Sequence, residues 1–187
     1  MTSHHKTPEN LKVELEQINA AKADPVRFSV LYDRYYRSIF IFIYRRTGNE
    51  DLTADITSVV FLKAIINIKK YEFKGVPFSA WLFRIALNEI SMHFRKSKAE
   101  RVISFDKGDI NSIIDETTID EDREELNKKL MHVLRALQPD QIQLIELRFF
   151  EKRSFAEMGS ILGMNETNAK IKLYRLLDKI KAVLTKK

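Results

Sequence analysis

The chain has 187 residues, 44% hydrophobic and 31% charged, with only 5 Gly and 4 Pro. This excludes a disordered polymer and leaves few breakers for the tight turns of a β-sandwich, so long helices are the expected element. The absence of cysteine excludes disulfides and thiolate zinc sites and fits a reducing cytoplasm, while a net charge of +6 points toward a polyanionic partner.

The first ten residues are polar and read as a frayed extension. Leu11 to Ala21 reads as a short helix. Asp24-Pro25 is a helix start, with Asp as the cap and Pro at the first helical position, where its missing N–H costs nothing. Apolar residues then recur at helical spacing from Phe28 through Leu31, Tyr35, Ile39, Phe42 and Ile43, until Thr47-Gly48-Asn49 breaks the pattern. The run Ile39 to Tyr44 is the longest all-apolar stretch and is too short to span a bilayer. No N-terminal segment resembles a signal peptide, so no membrane insertion is expected.

A second helix is expected over Glu50 to Ile68, a loop over Tyr71 to Pro77, and a third long helix over Phe78 to Lys96. Residues 97–122 lose periodicity and carry 3 basic against 8 acidic residues, a net −5. They read as a flexible acidic linker between two basic blocks, residues 1–96 at +5 and residues 123–187 at +6. Beyond it a helix resumes with Leu126, Leu130, Val133, Leu134 and Leu137. Gln138-Pro139 ends that helix and opens another over Asp140 to Phe150. Ser154-Phe155-Ala156-Glu157 is a capping box, in which each side chain satisfies the other's orphan backbone N–H. It starts a short helix that stops at Gly163, and a last helix runs from Glu166. The fold class is therefore all-α: two small helical domains, with a helix-turn-helix in the second.

Along the last helix, Ala169, Leu173, Leu176, Ile180 and Leu184 form an inward stripe that leaves Lys170, Lys172, Arg175 and Lys179 outside. A helix of this kind suits base edges first and phosphates after. A plain helical hairpin with a basic outer face fits the same residues. In the first block, Trp81, Phe83, Arg84 and Asn88 follow a loop holding Tyr71, Phe73 and Lys74. Aromatics interleaved with cations are what unstacked bases need, although Trp81 and Phe83 also fit a core. On these residues alone, a repressor or activator that binds duplex DNA and an adaptor that binds only protein remain open readings. No phosphate-binding glycine loop or nucleophile–base pair marks an enzyme. The histidines, His4, His5, His93 and His132, form no metal pair beyond the adjacent two, so no metal or cofactor is expected.

The string Pro77-Phe78-Ser79-Ala80-Trp81-Leu82-Phe83-Arg84-Ile85-Ala86-Leu87-Asn88 resembles the signature of bacterial sigma factors of the extracytoplasmic-function class. So do Leu31 to Tyr36 and the segment from Asp51-Leu52 through Asp55-Ile56 to Phe61-Leu62-Lys63-Ala64. Leu134 to Pro139, Phe155 to Met158, Leu162-Gly163-Met164 and Lys170 to Arg175 are similar to the second domain of that family.

The resemblance implies that residues 1–24 are an extension, 25–96 are sigma region 2, and 123–187 are sigma region 4. It implies a factor that binds core RNA polymerase, through the clamp coiled coil of the largest subunit, and directs transcription to promoters. Polymerase contact falls on Asp51, Leu52, Asp55, Ile56 and Phe61. Capture of the −10 strand falls on Phe73, Lys74, Trp81, Arg84 and Asn88, with the loop Tyr71 to Pro77. Reading of the duplex −35 element falls on Lys170, Ile171, Lys172, Tyr174, Arg175 and Lys179. The setting is cytoplasmic, and an anti-sigma protein is a further partner that the resemblance allows. Two departures stand out. Ser58-Val59 replaces the family's usual polar Gln-Glu, with Val59 expected to face inward, and Ile171 replaces a small polar residue. An aliphatic side chain there can meet a thymine methyl.

Overall fold

A computed structural model describes residues 7–97, 107–117 and 123–185. The expected frayed start and most of the linker lie outside these residues. Among the described residues there are nine α-helices and no strand. The helices are α1 (Pro8–Ala23), α2 (Ser29–Thr47), α3 (Glu50–Asn67), α4 (Phe78–Ser97), α5 (Lys107–Thr117), α6 (Arg123–Arg135), α7 (Pro139–Ile145), α8 (Phe155–Leu162) and α9 (Glu166–Leu184). The described residues divide into two compact units, one built on α1 to α4 and the other on α5 to α9 apart from residues 160–162.

In the first unit α2, α3 and α4 pack against one another. α1 joins them through the 3-10 turns Pro25–Phe28 and Ile68–Lys70. The break between α2 and α3 works as its sequence suggests. Gly48 takes φ 61°, a left-handed conformation that ends α2, and the Asn49 side chain then caps α3 by accepting from the Leu52 N–H at 2.8 Å. Asp24 likewise accepts from the Val26 N–H at 3.0 Å, although what it starts is a 3-10 turn that leads into α2. Phe28, Leu31, Ile39, Phe42, Ile43, Val60, Phe78, Leu82 and Phe83 fill the core. Each such side chain contributes roughly 1.5–3 kcal/mol by leaving water.

A buried carboxylate joins α1 to this core. Glu14 shares the inward face of α1 with Ile18 and Ala21 and is fully buried. It accepts from the Tyr35 hydroxyl and, at 2.9 Å, from the Phe78 N–H that opens α4. An anion at a helix N-terminus answers both an orphan donor and the helix dipole.

The second unit holds α5 to α9. α6 and α7 pack on α9. α7 continues into a π-helical turn, Glu146–Phe150, closed by the Glu151 N–H donating to the Glu146 carbonyl at 2.9 Å. The capping box of α8 is present: the Glu157 N–H donates to Ser154 Oγ at 3.2 Å and the Ser154 N–H to Glu157 Oε2 at 2.9 Å. Arg153 Nη1 meets Glu157 Oε1 at 3.0 Å, both side chains being buried. Gly163 ends α8 at φ 71°. The Met164 N–H then donates to the Gly159 carbonyl at 2.9 Å, which sets the tight turn into α9.

The acidic strap departs from the sequence reading. α5 lies inside it and belongs to the second unit, packed on α6, the π-helical turn and α9. Its buried residues, Ile110, Ile113 and Ile114, stand at helical spacing that the surrounding charge obscures.

Candidate nucleic-acid interfaces

α4 presents one stripe to the surface. Over residues 78–90, Trp81, Arg84, Ile85 and Asn88 are its exposed or half-buried positions, at i, i+3, i+4 and i+7, the spacing of a single helical face. Their neighbours Leu82, Phe83, Ala86 and Leu87 are buried, so Phe83 is core, packed edge-on against Phe42 at 4.4 Å between ring centroids. Trp81 is backed by an aromatic wall, with Tyr71 at 5.0 Å and Phe78 at 5.3 Å. Together with Lys63, Asn67, Lys70, Ile85 and Glu89, Trp81 and Asn88 line a groove of about 420 Å³. Lys63 Nζ reaches Glu89 Oε1 at 2.6 Å along it. One flat face, one amide able to donate and accept, and nearby ammonium groups are the parts that an unstacked base and its backbone require.

The loop before α4 is only partly available. Phe73 is 37% exposed, and Glu72, Lys74 and Gly75 are exposed. Gly75 stands at φ 73°, a backbone setting that suits glycine. Tyr71 and Pro77 are buried. The Tyr71 carbonyl accepts from Lys22 Nζ at 2.7 Å. Its phenol is pushed up to about 12 by burial and, second, by the charge of Glu14, so it stays neutral and structural.

On α3, Asp51 and Asp55 are exposed and Leu52 is half-buried. Ile56 and Phe61, expected at a protein contact, are 6% and 4% exposed. The Phe61 ring is held among Phe28, Tyr32 and Tyr36. These two residues shape the helix from beneath. What α3 offers to a partner beside the two aspartates is Val59, Leu62 and Ile66, at 37%, 57% and 67% exposure. Val59 therefore faces out, contrary to the expectation from sequence: the inward face of α3 runs through Thr53, Ile56, Thr57, Val60, Phe61 and Ala64, and position 59 falls off it.

In the second unit the residues expected from the sequence to read the −35 element are all outside. Lys170, Ile171, Lys172, Tyr174, Arg175 and Lys179 are exposed, and Ala169, Leu173, Leu176, Leu177, Ile180 and Leu184 are buried beneath them. Asn165 caps the helix by accepting from the Asn168 N–H at 2.7 Å. Thr167 and Asn168 are also exposed at that end, two polar side chains that the sequence reading passed over because it followed the cations. Tyr174 is less free than its neighbours. Its ring lies 6.1 Å from Phe155, over which the Arg148 guanidinium stacks at 4.8 Å. Its hydroxyl donates to Glu116 Oε1 at 3.3 Å.

Among the described residues no group of His, Asp and Glu is placed to hold a metal ion, and no helix is long and apolar enough to cross a membrane.

The sigma-70 region 2 family matches residues 31–100, and the sigma-70 region 4 family matches residues 127–180. The chain is 33% identical over 172 residues to the ECF RNA polymerase sigma factor BldN of Streptomyces coelicolor, which covers 91% of this chain and 64% of BldN. It therefore spans just under two thirds of the length of that relative. It is 25% identical over 154 residues to the ECF RNA polymerase sigma factor SigM of Bacillus subtilis, covering 82% of this chain and 92% of SigM. The solved structure of CnrH in complex with the cytosolic domain of CnrY superposes with a TM-score of 0.58 at 18% identity, covering 91% of this chain and 96% of that one, and so shares the fold. With both regions matched in order along one chain, this protein belongs to the sigma-70 family, and the relatives it resembles are sigma factors of the extracytoplasmic-function class.

Proposed function

We propose that the chain binds core RNA polymerase in the cytoplasm and directs initiation at promoters, reading a −35 element with α9 and capturing an opened −10 strand on α4. The observation that carries this is the stripe Trp81, Arg84, Ile85 and Asn88, with its groove flanked by Lys63 and Lys70. A protein that reads only duplex DNA has no use for a half-buried Trp beside a groove of this size. Extruding a base costs a few kcal/mol of stacking, which hydrogen bonds and an aromatic face in the groove offset. Strand opening is then driven by binding energy, without hydrolysis of a nucleotide.

Polymerase contact is assigned to the outer face of α3. Asp51 and Asp55 give it charge, and Val59, Leu62 and Ile66 give it apolar area, the mixture expected of a protein interface. On α9, Lys170, Lys172, Arg175 and Lys179 supply phosphate and base-edge contacts, and Ile171 supplies an apolar one.

The test adds the purified chain to core polymerase and maps transcript starts on genomic DNA. Starts at discrete sites that disappear with Asp55→Arg are the expected result. Unchanged, scattered starts with and without the chain would sink the proposal.

A further inference from the structure

α1 lies outside the matched segment, residues 31–100, yet it reaches both ends of the loop that precedes α4. At the first end, Lys22 Nζ donates to the Tyr71 carbonyl at 2.7 Å and lies 5.9 Å from the centroid of the Tyr71 ring. At the second end, Glu14 Oε2 accepts from the Phe78 N–H at 2.9 Å. α1 also packs on the 3-10 turn Ile68–Lys70, which delivers the chain to Tyr71. The two ties differ in kind. Glu14 is fully buried and belongs to the core, whereas Lys22 is only half-buried, at the edge of the loop it holds.

What the ties hold has little structure of its own. Among the described residues, Glu72 to Val76 make no backbone–backbone hydrogen bond, and Phe73, Lys74 and Gly75 are exposed. The course of this stretch is set where it is anchored, at Tyr71 and Phe78. The first anchor is aromatic as well: the Tyr71 ring stands 5.1 Å from Phe78 and 5.0 Å from Trp81. A line of contacts therefore runs from the Lys22 ammonium through Tyr71 to the flat face of Trp81. A charged donor makes the stronger class of hydrogen bond, and a cation beside an aromatic ring is attracted to it. One ammonium thus fixes the carbonyl and the ring of Tyr71 together.

We infer that Lys22 is a positioning residue for strand capture, and that α1 is the brace that sets the capture loop. Lys22 itself meets no base. It holds Tyr71, and through Tyr71 it sets Trp81 and the path of Phe73 and Lys74, the side chains assigned to the strand. Without the ammonium the core of the unit is kept and the loop leaves its place, so the loss falls on the single strand alone. The inference rests on reading α4 and its loop as the strand-capture surface.

Core polymerase carrying the full chain is offered two probes taken from a mapped transcription start. One is a single-stranded oligonucleotide spanning its −10 region, the other a duplex spanning its −35 region. Lys22→Met keeps the apolar stem and removes the ammonium. A loop held in the capture position about one fifth of the time weakens apparent binding about fivefold. A loss of that order is expected on the single strand, with the duplex unchanged. Lys22→Arg keeps a cation that reaches the carbonyl and is expected to regain most of the loss. In the free chain, acrylamide quenching of Trp81, the only tryptophan, is expected to rise with Lys22→Met and to return with Lys22→Arg. Unchanged quenching, an equal loss on both probes, or an equal loss in both variants overturns the brace. Asn88→Ala separates the two ideas. If it weakens the single strand and Lys22→Met does not, the brace fails and the reading of α4 stands. If Asn88→Ala leaves the single strand unchanged, the reading of α4 fails and the brace falls with it.

Discussion

Replacing Glu14 with Ala is expected to destabilise the first unit by about 2–4 kcal/mol. The carboxylate is fully buried and accepts from the Tyr35 hydroxyl and the Phe78 N–H. Removing it deprives two buried donors of this acceptor, at about 1–3 kcal/mol each. Part of that is recovered, because a buried carboxylate carries a desolvation cost of several kcal/mol, only partly offset by Arg34 Nη1 at 3.9 Å. Glu14→Gln keeps the volume and one acceptor oxygen, and its amide can donate to the Tyr35 hydroxyl oxygen. It exchanges charge-assisted bonds for neutral ones about half as strong, so a loss of about 1 kcal/mol is expected. The assay is built into the chain. Trp81 is its only tryptophan and lies on the helix whose first N–H Glu14 holds. Its fluorescence in urea therefore follows this unit even if the two units unfold separately. An Ala variant within about 0.5 kcal/mol of the original protein would show that the network does not stabilise the unit. Equal losses for Ala and Gln would place the effect on charge rather than on hydrogen bonding.

Gly159→Ala builds a Cβ at 2.7 Å from the Met164 carbonyl oxygen and 3.1 Å from backbone atoms of Asn165 and Glu166. Backbone yields poorly, so a loss of about 1–3 kcal/mol is expected, read as an earlier melting of the second unit by circular dichroism. Tyr71 holds its proton to about pH 12, against 10.0 for an ordinary phenol. Its contribution is whole below about pH 10 and is lost as pH rises toward 12, about 3 kcal/mol in all. Tyr71→Phe should flatten that slope in urea unfolding at alkaline pH. Asn88→Ala should reduce open-complex formation, read by permanganate reactivity of unpaired thymines, while binding at the −35 element is kept. Arg175→Ala should relax −35 preference in selections from a randomised library. Lys179→Ala should weaken all sequences alike and lower the salt slope by about one unit.

The parts of this fold that were legible in the sequence are those set by local chemistry. Thr47-Gly48-Asn49 announces a stop and a cap, and Ser154 with Glu157 announces a helix start, because each acts within one turn of chain. The two faces of α9 were legible for the same reason, since five apolar residues at helical spacing fix which lysines are left outside. What failed was the inference from family string to exposure at two positions of α3. Ile56 and Phe61 sit in a string associated with polymerase contact, yet a helix turns neighbours to opposite faces and these two point to the core. Glu14 was overlooked because a carboxylate in an apolar stripe reads as solvated until its partners, 21 and 64 residues away, are placed around it. α5 was hidden by its own acidity: three isoleucines among carboxylates gave too little periodicity to outweigh the charge.

Glu14 and Glu157 do comparable work in the two units, the first across the fold and the second within its own helix. Each is a buried carboxylate at a helix N-terminus, one on the Phe78 N–H and the other on the Ser154 N–H. Each fixes a helix: Glu14 holds the start of α4, and Glu157 with Arg153 holds α8, whose turn leads into α9. With the helix-fixing charge placed inside, Arg84 and Asn88 on α4 and Arg175 and Lys179 on α9 stand exposed. It follows that changes at Arg84, Asn88, Arg175 or Lys179 should alter DNA binding at nearly constant stability, within about 0.5 kcal/mol. Changes at Glu14 or Glu157 should lower both together, because the reader is displaced when its anchor goes.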